Sequence, residues 1–247
     1  MSYSDILKFR NIGKRYFRDL LYSPIPPVVS NGLVMNLRGA DFTNSPPTTT
    51  WHDESGLGNN ATPSGFGYIV TSGSDGQGGV VFDGAGDKVS IPYNSSMSLL
   101  GNNFTITARV KFNGTTTQMF CCRRTSITVA YEYMFYYTSS GFTFGYSVDG
   151  VTQVLTTFPF TMVVGTLYDI TLKRVGTSLY LYINGVKQTT VDTITGSLFA
   201  STVALIIGAS NSSGTYSNFF NGTVKRILQY NRDLTDAEIA QNYNVSK

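Results

Sequence analysis

The stretch that decides the fold is Phe219-Phe220-Asn221-Gly222-Thr223-Val224-Lys225-Arg226-Ile227-Leu228-Gln229-Tyr230-Asn231-Arg232-Asp233-Leu234-Thr235-Asp236-Ala237-Glu238-Ile239. Its first half predicts an apolar strand, and its second half predicts a turn followed by a short helix. Val224, Ile227 and Tyr230 come together on a strand only if it twists or bulges. Thr235 and Glu238 have the Thr-x-x-Glu spacing of a capping box, in which the glutamate returns to the amide of the cap. The segment therefore predicts a strand followed by a capped C-terminal helix.

Alternating stretches elsewhere predict an all-β protein. Residues 104–112 and 168–175 alternate apolar and polar side chains, which buries one face of a strand and exposes the other. Asn184-Gly185 separates two such runs and predicts a type I′ hairpin, whose two central residues take positive φ. With 25 glycines among 247 residues and turn signals at short spacing, the chain suits two packed antiparallel sheets.

Four further motifs occur upstream of the closing strand and helix. They are the apolar run 32–37, the loop Trp-x-Asp-x-Ser-Gly-x-Gly-Asn-Asn within 51–62, the Phe-Asp-Gly-x-x-Asp-x-Val hairpin within 80–92, and Leu-x-Leu-Tyr-Ile-Asn-Gly at 179–185. In this order, together with the closing stretch, they resemble laminin G-like domains of the concanavalin A-like lectin/glucanase superfamily. The resemblance implies a jelly-roll sandwich over residues 31–247 that binds carbohydrate or protein more often than it catalyses. Because proteins with the same fold carry different binding sites, the resemblance does not identify the ligand.

The net charge of the chain lies in a separate N-terminal segment. The whole chain has a net charge of +3, and residues 1–30 alone carry this excess, with five cations against two aspartates. Apolar residues recur there at three- and four-residue steps, which predicts a short amphipathic helix before the Pro-rich stretch 24–27. We therefore interpret residues 1–30 as a basic arm and linker, with these candidate docking residues: Phe9, Ile12, Tyr16, Lys14, Arg15 and Arg18.

Two interpretations of the arm stay open. It either folds back onto the sandwich, since a helix of this length is marginal alone, or it docks on another protein or an acidic surface. The N-terminal stretch has neither the apolar core nor the cleavage site of a secretory signal, and no run is long enough to span a membrane. Laminin G-like domains are usually exported, so this combination favours a virion component, with an extracellular or cell-surface location as the alternative.

The two cysteines are adjacent, at Cys121 and Cys122. A disulfide between neighbours is strained, so the sequence predicts two reduced thiols on opposite faces of a strand, one buried and one not. Two cysteines and a single histidine cannot form a tetrahedral zinc site within one chain.

The sequence predicts no enzymatic activity. His52 is the only histidine and lies in a loop rich in Gly and Asn, which favours a structural role. Glucanases of the superfamily carry a Glu-x-Asp-x-x-Glu motif that faces the sugar. This chain has three glutamates, Glu54, Glu132 and Glu238, and none has that spacing.

Metal binding has weak support. The resemblance implies that the loops of Asp53, Asp83 and Asp87 lie close together, and loops rich in oxygen ligands are suited to binding calcium. Lys225 and Arg226, however, stand where many relatives have an acidic pair, and their charges disfavour a cation. We therefore expect these aspartates to cap turns and expect no cofactor, with calcium as the one candidate.

Aromatic residues give the candidate sugar site. Residues 131–137 place Tyr136 and Glu132 on one face of a predicted strand, where a ring and a carboxylate can stack on and hydrogen-bond a sugar. Trp51, the only tryptophan, is a third candidate contact. The same aromatics also suit a strand buried on both faces, or a protein interface. Nucleic acid is not expected as a partner, because residues 31–247 carry no excess charge.

Two functions remain. The first is a non-enzymatic bacteriophage capsid-decoration or tail protein, present in many copies, attached to other virion proteins through residues 1–30 and displaying the sandwich towards host or environmental glycans. The second is a free-standing carbohydrate-binding adhesion module. The arm favours the first, because a lectin does not need it.

Overall fold

The computed structural model describes residues 27–101, 103–126 and 131–245. The alternating stretches form long strands, β6 (Asn103–Phe112) and β11 (Leu167–Val175), which pair antiparallel along their length. At the predicted hairpin Asn184 and Gly185 have φ values of 54° and 77°. Positive φ at both positions is the type I′ geometry that the sequence predicts.

The first sheet has eight strands in the order β13-β12-β11-β6-β17-β4-β3, with β1 beside one half of β17. Its other strands are β1 (Leu33–Arg38), β3 (Gly73–Ser74), β4 (Val80–Asp83), β12 (Ser178–Ile183), β13 (Val186–Thr193) and β17 (Asn221–Tyr230). A register shift between Val224 and Arg226 divides β17, so that its first half pairs with β4 and its second half with β1. This bulge places Val224 and Ile227 in one core cluster, as the closing stretch predicts, but Tyr230 packs in a separate cluster with Leu228.

The second sheet has seven strands in the order β10-β9-β8-β7-β14-β5-β2. They are β2 (Thr62–Ser64), β5 (Lys88–Ile91), β7 (Gln118–Arg123), β8 (Tyr133–Thr138), β9 (Gly141–Tyr146), β10 (Val154–Pro159) and β14 (Leu205–Ile207). A small hairpin, β15 (Ser210–Ser212) and β16 (Thr215–Ser217), and two 3-10 turns, Gly39–Asp41 and Ser95–Met97, complete the strands and turns. The all-β, two-sheet antiparallel sandwich is confirmed.

The core lies between the two sheets and is rich in aromatic rings. Phe112 is fully buried, and its ring centroid lies 5.3 Å from that of Phe120, 5.4 Å from Tyr137 and 5.6 Å from Phe220. Aromatic pairs at such distances stabilise a fold beyond the area that they bury. Contacts between aromatic rings therefore form a large part of the packing between the two sheets.

The C-terminal helix α1 (Asp236–Val245) begins with the predicted capping box. The Thr235 amide donates to Glu238 Oε2 at 2.8 Å, and the Glu238 amide donates to Thr235 Oγ1 at 3.2 Å. Buried Ile239 packs in one cluster with Leu228, on the first sheet, and Leu234. Across the described ranges no helix has the length and apolarity needed to cross a membrane.

Residues that the sequence assigns to the linker pack on this helix. Val29 is buried, its amide donates to Asn242 Oδ1 at 2.9 Å, and its carbonyl accepts from the Tyr230 hydroxyl at 2.9 Å. The sandwich therefore includes chain before residue 31. The predicted docking residues lie outside the described residues: Phe9, Ile12, Lys14, Arg15, Tyr16 and Arg18.

Both cysteines are buried and have free thiols. Cys121 packs in the core between the sheets, whereas Cys122 packs on the outer face of the second sheet with Tyr131 and Met134. The predicted opposite faces are confirmed, but the expectation that one thiol is exposed is wrong, because an apolar cluster covers the outer face as well. Burial raises the pKa of the Cys122 thiol to about 11 and that of Cys121 still further.

Candidate functional site at the rim of the eight-stranded sheet

Trp51, a predicted sugar contact, is a core residue. Its side chain is fully buried, and its ring packs edge-on against Phe42 with centroids 5.7 Å apart. Its indole Nε1 donates to the Arg38 carbonyl at 2.7 Å, which satisfies the buried donor. The interpretation of Trp51 as a ligand contact is wrong, because neither its ring nor its nitrogen reaches the surface.

Glu132, the second predicted contact, is also fully buried. Its Oε2 lies 3.5 Å from Arg123 Nη1, and its Oε1 accepts from the Leu99 amide at 3.1 Å. Burial raises the pKa of Glu132 despite the neighbouring guanidinium. The prediction that this carboxylate is exposed is wrong because β8 begins only at Tyr133, so Glu132 does not follow the alternation of that strand.

Tyr136 is the one predicted contact that reaches the surface. It is half-buried on the outer face of the second sheet, where it packs against a cluster that includes Met119 and Met134. Burial raises the pKa of its hydroxyl, and the side chain of Thr143, opposite it on β9, counteracts part of this shift. The structure therefore separates the three predicted sugar contacts and does not bring them together into one site.

Asp53, a calcium candidate, organises its own loop. Its Oδ1 accepts from the amides of Asn36 and Ser55 at 2.8 and 2.9 Å, and its Oδ2 accepts from the Ser55 hydroxyl and the Asn59 amide at 2.6 and 2.9 Å. Each oxygen thus has two protein donors. This is the turn-capping role that the sequence favours.

Asp83 and Asp87 also bond their own hairpin. Asp87 is fully buried; its Oδ2 accepts from the Asp83 amide at 2.9 Å and both oxygens accept from Ser72 Oγ, while burial raises its pKa. Asp83 is exposed, and its Oδ1 accepts from the Ala85 amide at 2.8 Å.

The nearby cation Lys225 forms an ion pair with Asp75 at 3.0 Å. Within the described residues no group of three or more acidic, Cys or His side chains surrounds a cation site.

A groove of about 680 Å³ opens where the strands of the first sheet end. It lies between the loop 65–75 and the ends of β4, β6 and β17. We call it the rim groove, and the residues used below are Ile69, Val70, Asp83, Lys111, Asn113, Asn221 and Thr223.

Strand register brings the polar side chains of the rim groove together. Asn221 lies opposite Asp83 on β4, and the Asn113 amide donates to the Asn221 carbonyl at 2.9 Å. Thr223 lies opposite Lys111 on β6. Among the described residues, the side-chain amides of Asn113 and Asn221 and the amine of Lys111 have no hydrogen-bond partner. These polar groups therefore remain available to a ligand.

The opposite wall of the rim groove is apolar and held in place. Ile69 and Val70 are 57% and 68% exposed. Paired hydrogen bonds of 3.0 Å between the backbones of Ile69 and Ser72 close the turn that carries them. Tyr68 supports this turn from below, since its ring stacks on Phe42 and its hydroxyl donates to the Thr48 carbonyl at 2.7 Å.

Apart from Asp83, which the sequence offered as a calcium candidate, the residues of the rim groove were not predicted from the sequence. Asn113-Gly114 and Asn221-Gly222 are turn signals that follow or begin strands, so they indicate the rim. More than one hundred residues separate the two pairs along the chain, and only the pairing of β6 with β17 brings them together. Ile69 and Val70 carry no signal of their own, because an exposed aliphatic residue in a loop is common.

Comparison with known proteins supports the fold but gives no close relative. No curated protein matches the sequence. The binding domain of botulinum neurotoxin DC in complex with rat synaptotagmin II superposes with a TM-score of 0.65 at 11% identity, covering 89% of this chain and 52% of that chain. A second neurotoxin DC binding domain, in complex with SialylT, gives 0.63 at 10% identity over 88% and 52%. This chain thus spans about half the length of the neurotoxin chains.

A third structure is similar over almost its entire length. It is domain 4 of AbnA, a GH43 extracellular arabinanase from Geobacillus stearothermophilus, in complex with arabinotriose, with a TM-score of 0.61, 14% identity and coverage of 85% of this chain and 98% of that chain. At such identities these likenesses show the fold alone. A laminin G family model, described as the concanavalin A-like lectin/glucanases superfamily, matches residues 82–240. Because this match covers more than half of the chain, the protein belongs to the laminin G-like domains of the concanavalin A-like lectin/glucanases superfamily.

Proposed function

We propose that the sandwich is a non-catalytic carbohydrate-binding module and that the rim groove is its binding site. The observation that carries this proposal is the meeting of unpartnered polar side chains with an exposed apolar wall. The groove, of about 680 Å³, is large enough for a small ligand. Ligand pockets of about 300–1,000 Å³ with a few convergent polar groups are typical binding sites.

The chemistry of the groove suits a sugar. A sugar hydroxyl both donates and accepts hydrogen bonds, and so do the side-chain amides of Asn113 and Asn221. Lys111 supplies a donor, and the exposed carboxylate of Asp83 supplies acceptors. Ile69 and Val70 present an apolar surface to the C–H face of a ring.

The glutamates give no pair of carboxylates for glycoside hydrolysis. Glu132 is buried against Arg123, and Glu238 bonds Arg232 at 2.6 Å as well as the helix cap. Glu54 is exposed in a different loop. Two structural neighbours contain SialylT and arabinotriose, which agrees in kind with a sugar ligand here.

The test is glycan-array screening of the full chain, followed by calorimetric titration with the best ligand. Asn113→Ala and Asn221→Ala are each expected to weaken binding about tenfold, as loss of one good hydrogen bond corresponds to roughly 1.4 kcal/mol. Asn31→Ala is the matched control, because Asn31 is exposed on another loop. Equal affinity in all variants would place the site elsewhere, and release of reducing sugar by the wild type would contradict the non-catalytic proposal.

The N-terminal arm supports a second proposal, that this module is a structural component of a virion. The support is that residues 1–30 carry the whole net charge of the chain beside an apolar stripe. Replacing Phe9 and Tyr16 by Asp in the full chain is expected to abolish incorporation into particles, since it puts unpaired carboxylates into an apolar contact. Normal incorporation with earlier melting of the sandwich would mean that the arm packs on its own domain.

A further inference from the structure

A second pocket, of about 370 Å³, lies on the outer face of the first sheet. Four cationic side chains line it, Arg38, Arg109, Lys225 and Arg226. We call it the arginine pocket. It is separate from the rim groove, and the inference below does not depend on carbohydrate binding.

Strand register places the three arginines in one row. Arg38 on β1 lies directly opposite Arg226 on β17, and Arg226 lies directly opposite Arg109 on β6. The bulge in β17 adds Lys225 next to this row. Like charges directly opposite one another destabilise a sheet. In agreement, burial lowers the pKa of Arg226 and the charges of Arg38 and Arg109 lower it further.

Two of the cations already have partners. Arg38 lies 3.5 Å from Asp41, and Lys225 lies 3.0 Å from Asp75. The first pair reduces the charge at the Arg38 end of the row, and the second reduces the charge beside Arg226. The unpaired cations are therefore Arg226 and Arg109, two neighbours in the register, which suit one anionic group better than an extended polyanion.

Arg226 and Arg109 have donors without partners among the described residues. Arg226 Nη1 is buried and has no hydrogen-bond partner. Arg109 makes no hydrogen bond or ion pair with any described residue. Asp169 lies opposite Arg109 in the register and is buried, yet it forms no described ion pair with Arg109 or Arg226. A buried donor without an acceptor is costly, so a ligand that supplies acceptors here stabilises the fold.

We propose that the arginine pocket binds a single oxyanion, a carboxylate, sulfate or phosphate group, between Arg109 and Arg226. A guanidinium presents its N–H donors in a planar fork that fits two oxygens of such a group at once. The same group occurs as a free ion or as a substituent of a larger molecule such as an acidic sugar. The chemistry of recognition is shared, and the experiment separates the two sources.

The test titrates the full chain with sodium sulfate and sodium phosphate at constant ionic strength, with chloride as the balancing salt. Binding is followed by calorimetry and by the melting temperature. Sulfate stabilises many proteins without a site, so the comparison with variants decides. Arg109→Gln and Arg226→Gln are each expected to weaken oxyanion binding at least about tenfold. Lys187→Gln, an exposed cation on β13, is the matched control and is expected to bind like the wild type.

Two further comparisons sharpen the result. In chloride alone Arg226→Gln is expected to melt no earlier than the wild type, because it relieves repulsion; this also checks that the variant folds. Arg226→Lys keeps the charge but not the fork, so intermediate affinity is expected. If Arg226→Gln fails to fold, Arg109→Gln and Arg226→Lys carry the test.

The source of the oxyanion follows from a third titration, with a sulfated disaccharide and its unsulfated form. Affinity for the sulfated sugar at least about tenfold above that for free sulfate identifies a substituent, and equal affinity identifies a free ion. The proposal is overturned if oxyanions shift melting equally in the wild type and in the Arg109→Gln and Arg226→Gln variants. It is overturned as well if only a nucleic acid, and no small oxyanion, binds through these arginines.

Discussion

Replacing Glu132 by Gln tests whether this buried carboxylate holds the fold rather than a ligand. Arg123 and Glu132 are both fully buried, and Arg123 Nη1 also donates to the Met97 carbonyl at 3.1 Å. Arg123 Nε and Nη2 have no partner in the described residues. The substitution therefore leaves a buried guanidinium without a counter-charge. Breaking such a pair costs about 3–5 kcal/mol.

We expect a loss of about 3 kcal/mol, at the lower end of this range, because the ion pair is long and the glutamine oxygen still accepts from the Leu99 amide. Urea unfolding measures the free energy, and the melting temperature should fall by roughly 6–12 °C for a domain of this size. The double variant Arg123→Met with Glu132→Leu is the control and should recover most of the loss. A Glu132→Gln protein with unchanged stability but without sugar binding would refute this reasoning and restore Glu132 as a ligand contact.

Three further changes test other parts of the structure. Thr235→Ala removes one half of the capping box and should lower the free energy of unfolding by about 1 kcal/mol in urea titrations, whereas Thr235→Ser should not. Burial raises the pKa of Asp169 to about 6, although the charges of Arg109 and Arg226 counteract part of the shift. Because the pKa is raised, the folded state holds the proton of Asp169 more tightly than the unfolded chain does. This contribution to the free energy of unfolding is complete below about pH 4 and is lost as the pH rises through 6. Asp169→Asn should therefore reduce the difference in the free energy of unfolding between pH 4 and pH 7 by about 2–3 kcal/mol. An Asp169→Asn protein with the same difference as the wild type would contradict this prediction. Deleting residues 1–26 should leave the melting temperature of the sandwich unchanged, but deleting 1–30 should cost about 2 kcal/mol because Val29 is buried; equal melting of both deletions would show that Val29 contributes nothing.

The fold was predictable because its signals are local. The capping box needs only Thr235 and Glu238, three residues apart, and the hairpin needs only Asn184 and Gly185. Both features are stabilised by contacts between residues that are close in the sequence, so their formation does not depend on which distant strands pair. Fold class follows from the sum of many such signals.

The site was not predictable because it depends on register between distant segments. Nothing near Glu132 in the sequence shows that β8 begins one residue later and that Arg123 lies beside it. Trp51 lies in a polar loop, yet its ring reaches the core. In the same way, Asn113 and Asn221 become neighbours only through the pairing of two strands. A pattern within one segment cannot report which segments meet.

The bulge in β17 has a consequence for synthesis of the chain. The strand β17, near the C-terminus, pairs with β4 through its first half and with β1 through its second half, while β6 pairs along its other edge. During translation β1 leaves the ribosome almost two hundred residues before the strand that it joins. The edges of β1, β4 and β6 therefore stay open until the end of the chain is made, and open edges pair with other chains. A ribosome that stops before residue 221 releases a sheet without its central strand, so we expect aggregation of such fragments and protection of the nascent chain by chaperones until β17 inserts.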